Sequence, residues 1–198
     1  TYPVEYKGQF DCSDQQFNRI WDISARTLKL CMEDTFTDCP LYEQTLWIGD
    51  GRNEALFAYD VFGAEDISRR CIEINAQSLE HYPIAGAQVP SCWDCLIPAW
   101  GLLWGIWVWE YYWRTGDEKW LKSIWKSMLK NIDGAASMID ETGLVSCDYW
   151  NFFDWTEIDA SHNVVIYNSM LLVGAVNAAI EAATVLDYKK EISRLKTL

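Results

Sequence analysis

Apolar residues recur at helical intervals along six stretches of the chain, and polar or aromatic connections separate them. Phe17, Ile20, Trp21, Ile23, Leu28 and Leu30 follow Ser13, which has capping-box spacing to Gln16, so a first helix is expected from Ser13 to about Met32. Ala55, Leu56, Tyr59 and Phe62 share one face of a second helix, which Asp50 can cap and Gly63 can close. A third, Glu65 to about His81, presents Ile67, Cys71, Ile74 and Leu79, and Pro83 and Gly86 then force a loop that ends at Pro90. The fourth runs from about Cys95 to Arg114, with Trp100, Trp104, Trp107 and Tyr111 on one stripe. A fifth spans Glu118 to about Ile139, a long Ala-rich sixth spans about Ser161 to Leu186, and a seventh starts after it. Tyr2 to Tyr6 and Leu144 to Cys147 alternate like short strands but are too few for a sheet, so the predicted class is all-α.

The uncharged run from Leu96 to Trp109 resembles a membrane span but is too short. A spanning helix needs about 20 apolar residues, and Pro98, Gly101 and Gly105 interrupt this one. No membrane span is expected.

Two turns repeat. Phe62-Gly63-Ala64-Glu65 and Thr115-Gly116-Asp117-Glu118 each end an aromatic-rich helix and open a more charged one. A period of about 50 residues of this kind points to stacked helical hairpins, each burying its apolar face only against its neighbours. Residues 1–198 read as one domain, and Lys189 to Leu198 read as a helix cut off before its partner, hence as a fragment of a larger helical assembly. Apolar faces left without partners predict self-association or docking onto the absent part.

The balance of 16 basic against 29 acidic residues, a formal net charge of -13, is a poor match to phosphate backbones and excludes nucleic acid as an expected partner. Aromatic residues are abundant, with 12 Trp, 10 Tyr and 7 Phe, as in proteins that grip carbohydrate or build a wide, rigid core. Seven cysteines in a chain this long and apolar do not suggest a disulfide scaffold. Cys92 and Cys95 have the spacing of redox and zinc pairs, yet no second pair accompanies them and His81 and His162 lie outside ligand spacing. The cellular compartment is not readable from these residues.

In hairpin assemblies the connections at one end of the helices converge, so the loops at residues 33–50, 83–94 and 148–160 can line one cavity while the glycine turns occupy the opposite rim. The first loop contributes Asp38, Glu43, Trp47 and Asp50, the second Trp93 and Asp94, and the third Trp150, Asp154 and Trp155. Each pairs Trp with Asp. Carboxylates can hold sugar hydroxyls and deliver a proton, and an indole face packs on the apolar face of a pyranose. Buried carboxylates cost free energy unless they are paired or used.

The run Asp38-Cys39-Pro40 with Tyr42-Glu43-Gln44, Trp47 and Gly49-Asp50-Gly51-Arg52 resembles the catalytic signature of the α-L-rhamnosidases of glycoside hydrolase family 78. Trp93-Asp94 before Ile97-Pro98, Thr115-Gly116-Asp117 and Asp154-Trp155 add to the likeness, which extends from about residue 13 to the end. The resemblance implies an (α/α)6 barrel of six hairpins, incomplete in this chain, and an inverting hydrolase of terminal α-L-rhamnosides that needs no cofactor or metal. It implies that Glu43 is the general acid, that Asp38 and Asp50 hold rhamnose hydroxyls, and that Trp47, Trp93 and Trp155 wall the pocket, with Arg52, Asp94 and Asp154 also binding substrate. An acid working near neutral pH needs a raised pKa, which partial burial and the neighbouring Asp38 and Asp50 would give Glu43. The general base is expected beyond the C-terminus of the chain, roughly 6.5 to 9.5 Å from the acid in space. The Tyr42-Glu43-Gln44 form departs from the arginine-flanked acid of many relatives and leaves the exact sugar open. The alternative reading is a non-catalytic helical-repeat scaffold or a carbohydrate-binding module.

Overall fold

A computed structural model describes residues 2–157 and 161–198. Seven helices form among them: α1 (Gln15–Leu30), α2 (Ile48–Val61), α3 (Glu65–Ser78), α4 (Pro98–Thr115), α5 (Glu118–Ala136), α6 (Ile166–Val185) and α7 (Lys189–Leu195). The described residues contain no strand, only isolated antiparallel bridges. The expected arm at Leu144–Cys147 takes part in two, Ile139 with Val145 and Ser146 with Val164. Tyr2 to Tyr6 form no ladder, although the Tyr2 N–H donates to the Met32 carbonyl at 2.7 Å.

Helix starts differ from expectation wherever the fold, rather than a local cap, sets them. Asp14 replaces Ser13 as the cap of α1, its Oδ1 accepting the Gln16 N–H at 2.9 Å. Helix α2 begins before Asp50, because Trp47 is held extended by a bridge to Gln88 and the Ile48 N–H donates to the Ala87 carbonyl. Asp50 therefore lies in the first turn and does not cap the helix. Helix α4 opens at Pro98, whose missing N–H suits that position. Helix α6 starts at Ile166 and not near Ser161, since the bridge at Val164 keeps the preceding chain extended.

Three hairpins result, α2/α3, α4/α5 and α6/α7. Gly63 (φ 61°) and Gly116 (φ 65°) make the first two turns in the left-handed region, and Asp187 (φ 54°) makes the third. Helices α2, α4 and α6 lie side by side with α4 in the middle, and α3, α5 and α7 back them. Trp104 and Trp107 of α4 are fully buried. The Trp104 Nε1 donates to the Ile72 carbonyl at 3.1 Å, and the Trp107 Nε1 donates to Ser68 Oγ at 3.0 Å, which also meets the Tyr59 hydroxyl at 2.5 Å. Each indole thus loses water without leaving its donor unpaired.

Helix α6 is long and apolar enough to cross a membrane by length and composition. Here it serves as a core helix, with Leu172, Ala175, Ala178, Ala179, Ala182 and Ala183 buried, packed on α4, α5 and α7. Its other face leaves Ile166, Met170 and Val173 exposed, next to an apolar groove of about 540 Å³ between α6, the end of α7 and residues 139–145. Helix α1 departs from its pattern: Phe17, Ile20 and Ile23 are exposed, and Ala25 and Leu28 are its buried residues.

The first turn of α2 packs tightly on α4. A Cβ on Gly49 would lie 2.7 Å from the Trp100 ring, and one on Gly51 would lie 3.3 Å from Trp107. The indole of Trp100 is rigid and cannot yield as a flexible side chain would. Gly49→Ala should therefore destabilise the chain by about 1–3 kcal/mol, read as a lower urea midpoint together with a changed near-ultraviolet circular dichroism signal from the tryptophans.

Candidate active site

The three acidic and aromatic loops are tied to one another by main-chain hydrogen bonds. The Ile48 N–H donates to the Ala87 carbonyl (3.0 Å), the Ala87 N–H to the Cys95 carbonyl (3.0 Å) and the Trp150 N–H to the Leu96 carbonyl (3.3 Å). Two buried asparagines hold the loops to the helices. Asn131 of α5 accepts the Ala85 N–H at 2.8 Å and donates to the Gly101 carbonyl at 2.9 Å. Asn151 donates to the His162 carbonyl at 3.0 Å and accepts from Asn168 of α6 at 2.9 Å, and the Tyr167 hydroxyl donates to the Asn151 carbonyl. Residues 158–160 of the third loop lie outside the described residues.

One tryptophan from each loop meets at this junction. The ring of Trp47 stands edge-on to Trp93 at 5.8 Å and to Trp150 at 6.3 Å, and Trp93 and Trp150 are 6.1 Å apart. Trp155, expected as a wall beside Trp47 and Trp93, instead packs on Phe152 at 5.2 Å and is 87% exposed. Trp150 takes the place expected of it, because Asn151, the hub of the third loop, fixes its neighbour in the chain. Phe152 links the two, 5.1 Å from Trp150. A hollow of about 520 Å³ opens on this loop between Trp150, Phe152, Asp154, Trp155 and Tyr167. It adjoins the tryptophan junction and does not lie over Glu43.

The loop carrying Glu43 is closed on itself. The Asp38 N–H donates to the Thr45 carbonyl at 3.1 Å, and the Thr45 N–H returns to Asp38 Oδ1 at 3.0 Å. Gln44 takes the left-handed conformation (φ 52°), and the Glu43 N–H donates to Cys39 Sγ at 3.2 Å. Glu43 is exposed, so the partial burial expected for it is not found. It is nonetheless held, for the Trp47 Nε1 donates to its Oε2 at 2.7 Å.

The strongly shifted carboxyls lie behind it. Burial, followed by the charges of Asp38, Glu43 and Asp154, pushes Asp50 up to about 6, against a hydrogen bond to its own backbone that lowers it. Asp38, Glu43, Asp50 and Asp154, from two separate loops and the first turn of α2, thus share one electrostatic neighbourhood. Glu54, one turn beyond Asp50, is pushed up to about 9 by burial and by the charges of Asp50 and Asp38. Its Oε2 is buried without a hydrogen-bond partner among the described residues. The pattern reading missed Glu54; the signal available was its i,i+4 spacing from Asp50.

Two other expected binders are engaged elsewhere. Arg52 forms a two-point ion pair with Glu110 of α4, Nε to Oε2 at 2.9 Å and Nη2 to Oε1, and so ties α2 to α4. Asp94 accepts the Tyr82 hydroxyl within its own loop. Cys92 is exposed and Cys95 is buried, both as free thiols.

Residues 5–198 match the family described as the bacterial α-L-rhamnosidase six-hairpin glycosidase domain. A rhamnosidase of glycoside hydrolase family 78 from Bacillus sp. GL1 superposes with a TM-score of 0.95 at 39% identity, over 98% of this chain and 20% of that one. A rhamnosidase from Klebsiella oxytoca, with rhamnose bound, superposes with a TM-score of 0.75 at 25% identity, over 94% of this chain and 38% of that one. An α-L-rhamnosidase of Formosa agariphila is 34% identical over 62 residues, 30% of this chain and 6% of that protein. The chain thus spans well under half the length of these relatives.

The Glu54 shift has a consequence for stability. Its native value of about 9 lies above its ordinary 4.5, so between the two the unfolded chain has released a proton that the native chain retains. Stability from this group is fully present below pH 4.5 and is lost as pH rises toward 9. Glu54→Gln removes that loss. The melting temperature of the variant should exceed the parent's by an amount that grows from pH 4.5 to 7.5, by up to about 2–4 °C per pH unit. A difference independent of pH would show that Glu54 is not a buried acid.

Proposed function

The chain belongs to the bacterial α-L-rhamnosidase six-hairpin glycosidase domain family, and from that premise we propose that it supplies the acid side of an inverting active site for terminal α-L-rhamnosides. Glu43 protonates the glycosidic oxygen as the bond to the anomeric carbon breaks. A carboxylate from a part of the domain outside this sequence removes a proton from the water that attacks the opposite face. The products are rhamnose of inverted configuration and the free alcohol, and the two carboxyl groups end with their protons exchanged.

The observation that carries this reading is the 2.7 Å hydrogen bond from the Trp47 indole to Glu43 Oε2. It fixes the rotamer of the acid through one oxygen and reserves the other for proton transfer. Asp50 and Asp38 accept hydroxyl hydrogen bonds from the sugar, and Trp47, Trp93 and Trp150 offer apolar ring faces to it. Asp154 adds negative charge at the rim, where positive charge develops on the sugar in the transition state. Arg52 and Asp94 act by bracing α2 and the second loop, and Trp155 extends the aromatic surface beyond the first sugar. The rhamnose bound by the Klebsiella relative fits the substrate class.

In the complete enzyme, Glu43→Gln should lower kcat on alkyl rhamnosides by about 10²- to 10⁴-fold. It should affect nitrophenyl rhamnosides far less, since that leaving group needs little protonation. Equal rates for variant and parent on alkyl substrates would remove Glu43 from the role. The 198-residue chain by itself should not hydrolyse a nitrophenyl rhamnoside, and turnover by it would mean that the base lies within these residues.

A further inference from the structure

Glu54 is a half-buried carboxyl, one of its oxygens shut off from water, that the proposed mechanism does not use. It lies on α2 one turn below Asp50, with Oε2 shut off from water and lacking a hydrogen-bond partner among the described residues. The groups that face it are Cys31 at the end of α1, Asp38 from the acid's loop, Asp50 on its own helix and Cys71 from α3. None is a cation. Both thiols are themselves held protonated by burial, Cys31 up to about 11 and Cys71 up to about 12.

We propose that Glu54 is a positioning residue: a carboxyl group kept neutral beneath Asp50, so that the buried pair carries a single negative charge and carries it on the member that meets the sugar. The inference rests on the reading of Asp50 as a binder of rhamnose hydroxyls. Two carboxyls in one poorly solvated region do not both ionise near neutral pH, and their protons leave in two steps that belong to the pair. Burial and neighbouring charge push Asp50 up to about 6 and Glu54 up to about 9, so that Asp50 is the member that ionises first. Between those limits Asp50 is an acceptor with fixed charge and fixed place. Above them a second anion beneath it repels both Asp50 and Asp38 from the geometry that receives the sugar.

Rhamnose binding reads this directly, because it needs neither the acid nor the base. Calorimetric titration of the complete enzyme with rhamnose should give an affinity about tenfold lower at pH 10 than at pH 7, the neutral form of Glu54 having fallen to about a tenth. In Glu54→Gln, whose side chain cannot ionise, the affinities at the two pH values should agree. An equal alkaline loss in parent and variant, or no loss in the parent, would overturn the inference while leaving the rhamnoside reading intact. Failure of the parent to bind rhamnose at any pH would overturn that reading and the inference with it. Carbon-13 titration of the Glu54 carboxyl in the unsubstituted protein is independent of whether the variant folds: a midpoint near 9 is expected, and one below 7 would also overturn the inference.

Discussion

The contact between the first turn of α2 and the aromatic face of α4 sets the position of everything at the site. Gly49 leaves the space that the Trp100 ring fills, and Gly51 leaves space for Leu46 and Trp107. Asp50 sits between these glycines, so the approach that packs two indoles on this turn also draws a carboxyl group into a less solvated place. The same turn begins where Trp47 bridges to Gln88, and this joins the acid's loop to the second loop. Arg52 and Glu110 close the α2–α4 interface further along. Side-chain packing, main-chain pairing and charge are therefore parts of one joint.

That joint reduces stability. Burial of Asp50 and Glu54 raises both above their ordinary values, and each shift records free energy that the folded chain gives up as pH rises. A helix built only to pack would carry apolar residues at these positions. Carboxyls kept where burial opposes their charge fit the proposal that these positions serve chemistry and not packing.

Much of this was legible in the residues. The 3.6-residue stripes gave the helices, the glycine turns gave the hairpins, and the shared Trp and Asp content of three loops pointed to their convergence. The unread parts share a physical cause, namely dependence on contacts distant in sequence. The start of α2 is set by pairing with Gln88, and that of α6 by pairing at Val164, neither of which leaves a local cap signal. The ion pair of Arg52 could not be read locally because its partner, Glu110, lies 58 residues away. Trp155 and Trp150 cannot be ranked by composition, since the choice between them is made by the hydrogen bonds of Asn151. Glu54 was hidden for another reason: a charged residue at an interior helix position reads as solvated until the helix is known to be packed on that side.

The exposure of Glu43 bears on what the rest of the domain would add around it. Its place is determined locally, by the closed loop from Asp38 to Thr45 and by the Trp47 indole, and so it exists without the rest of any barrel. The medium around it is a separate matter. The charged groups that share its electrostatic neighbourhood, Asp38, Asp50 and Asp154, are all acidic. Repulsion by anions weakens with hydration, whereas it strengthens as water is excluded. On the proposed mechanism, then, the arriving sugar and the remaining hairpins do more than close a pocket. By drying the space over Glu43 they strengthen a preset arrangement of charges, and geometry and medium are assigned to different parts of the same domain.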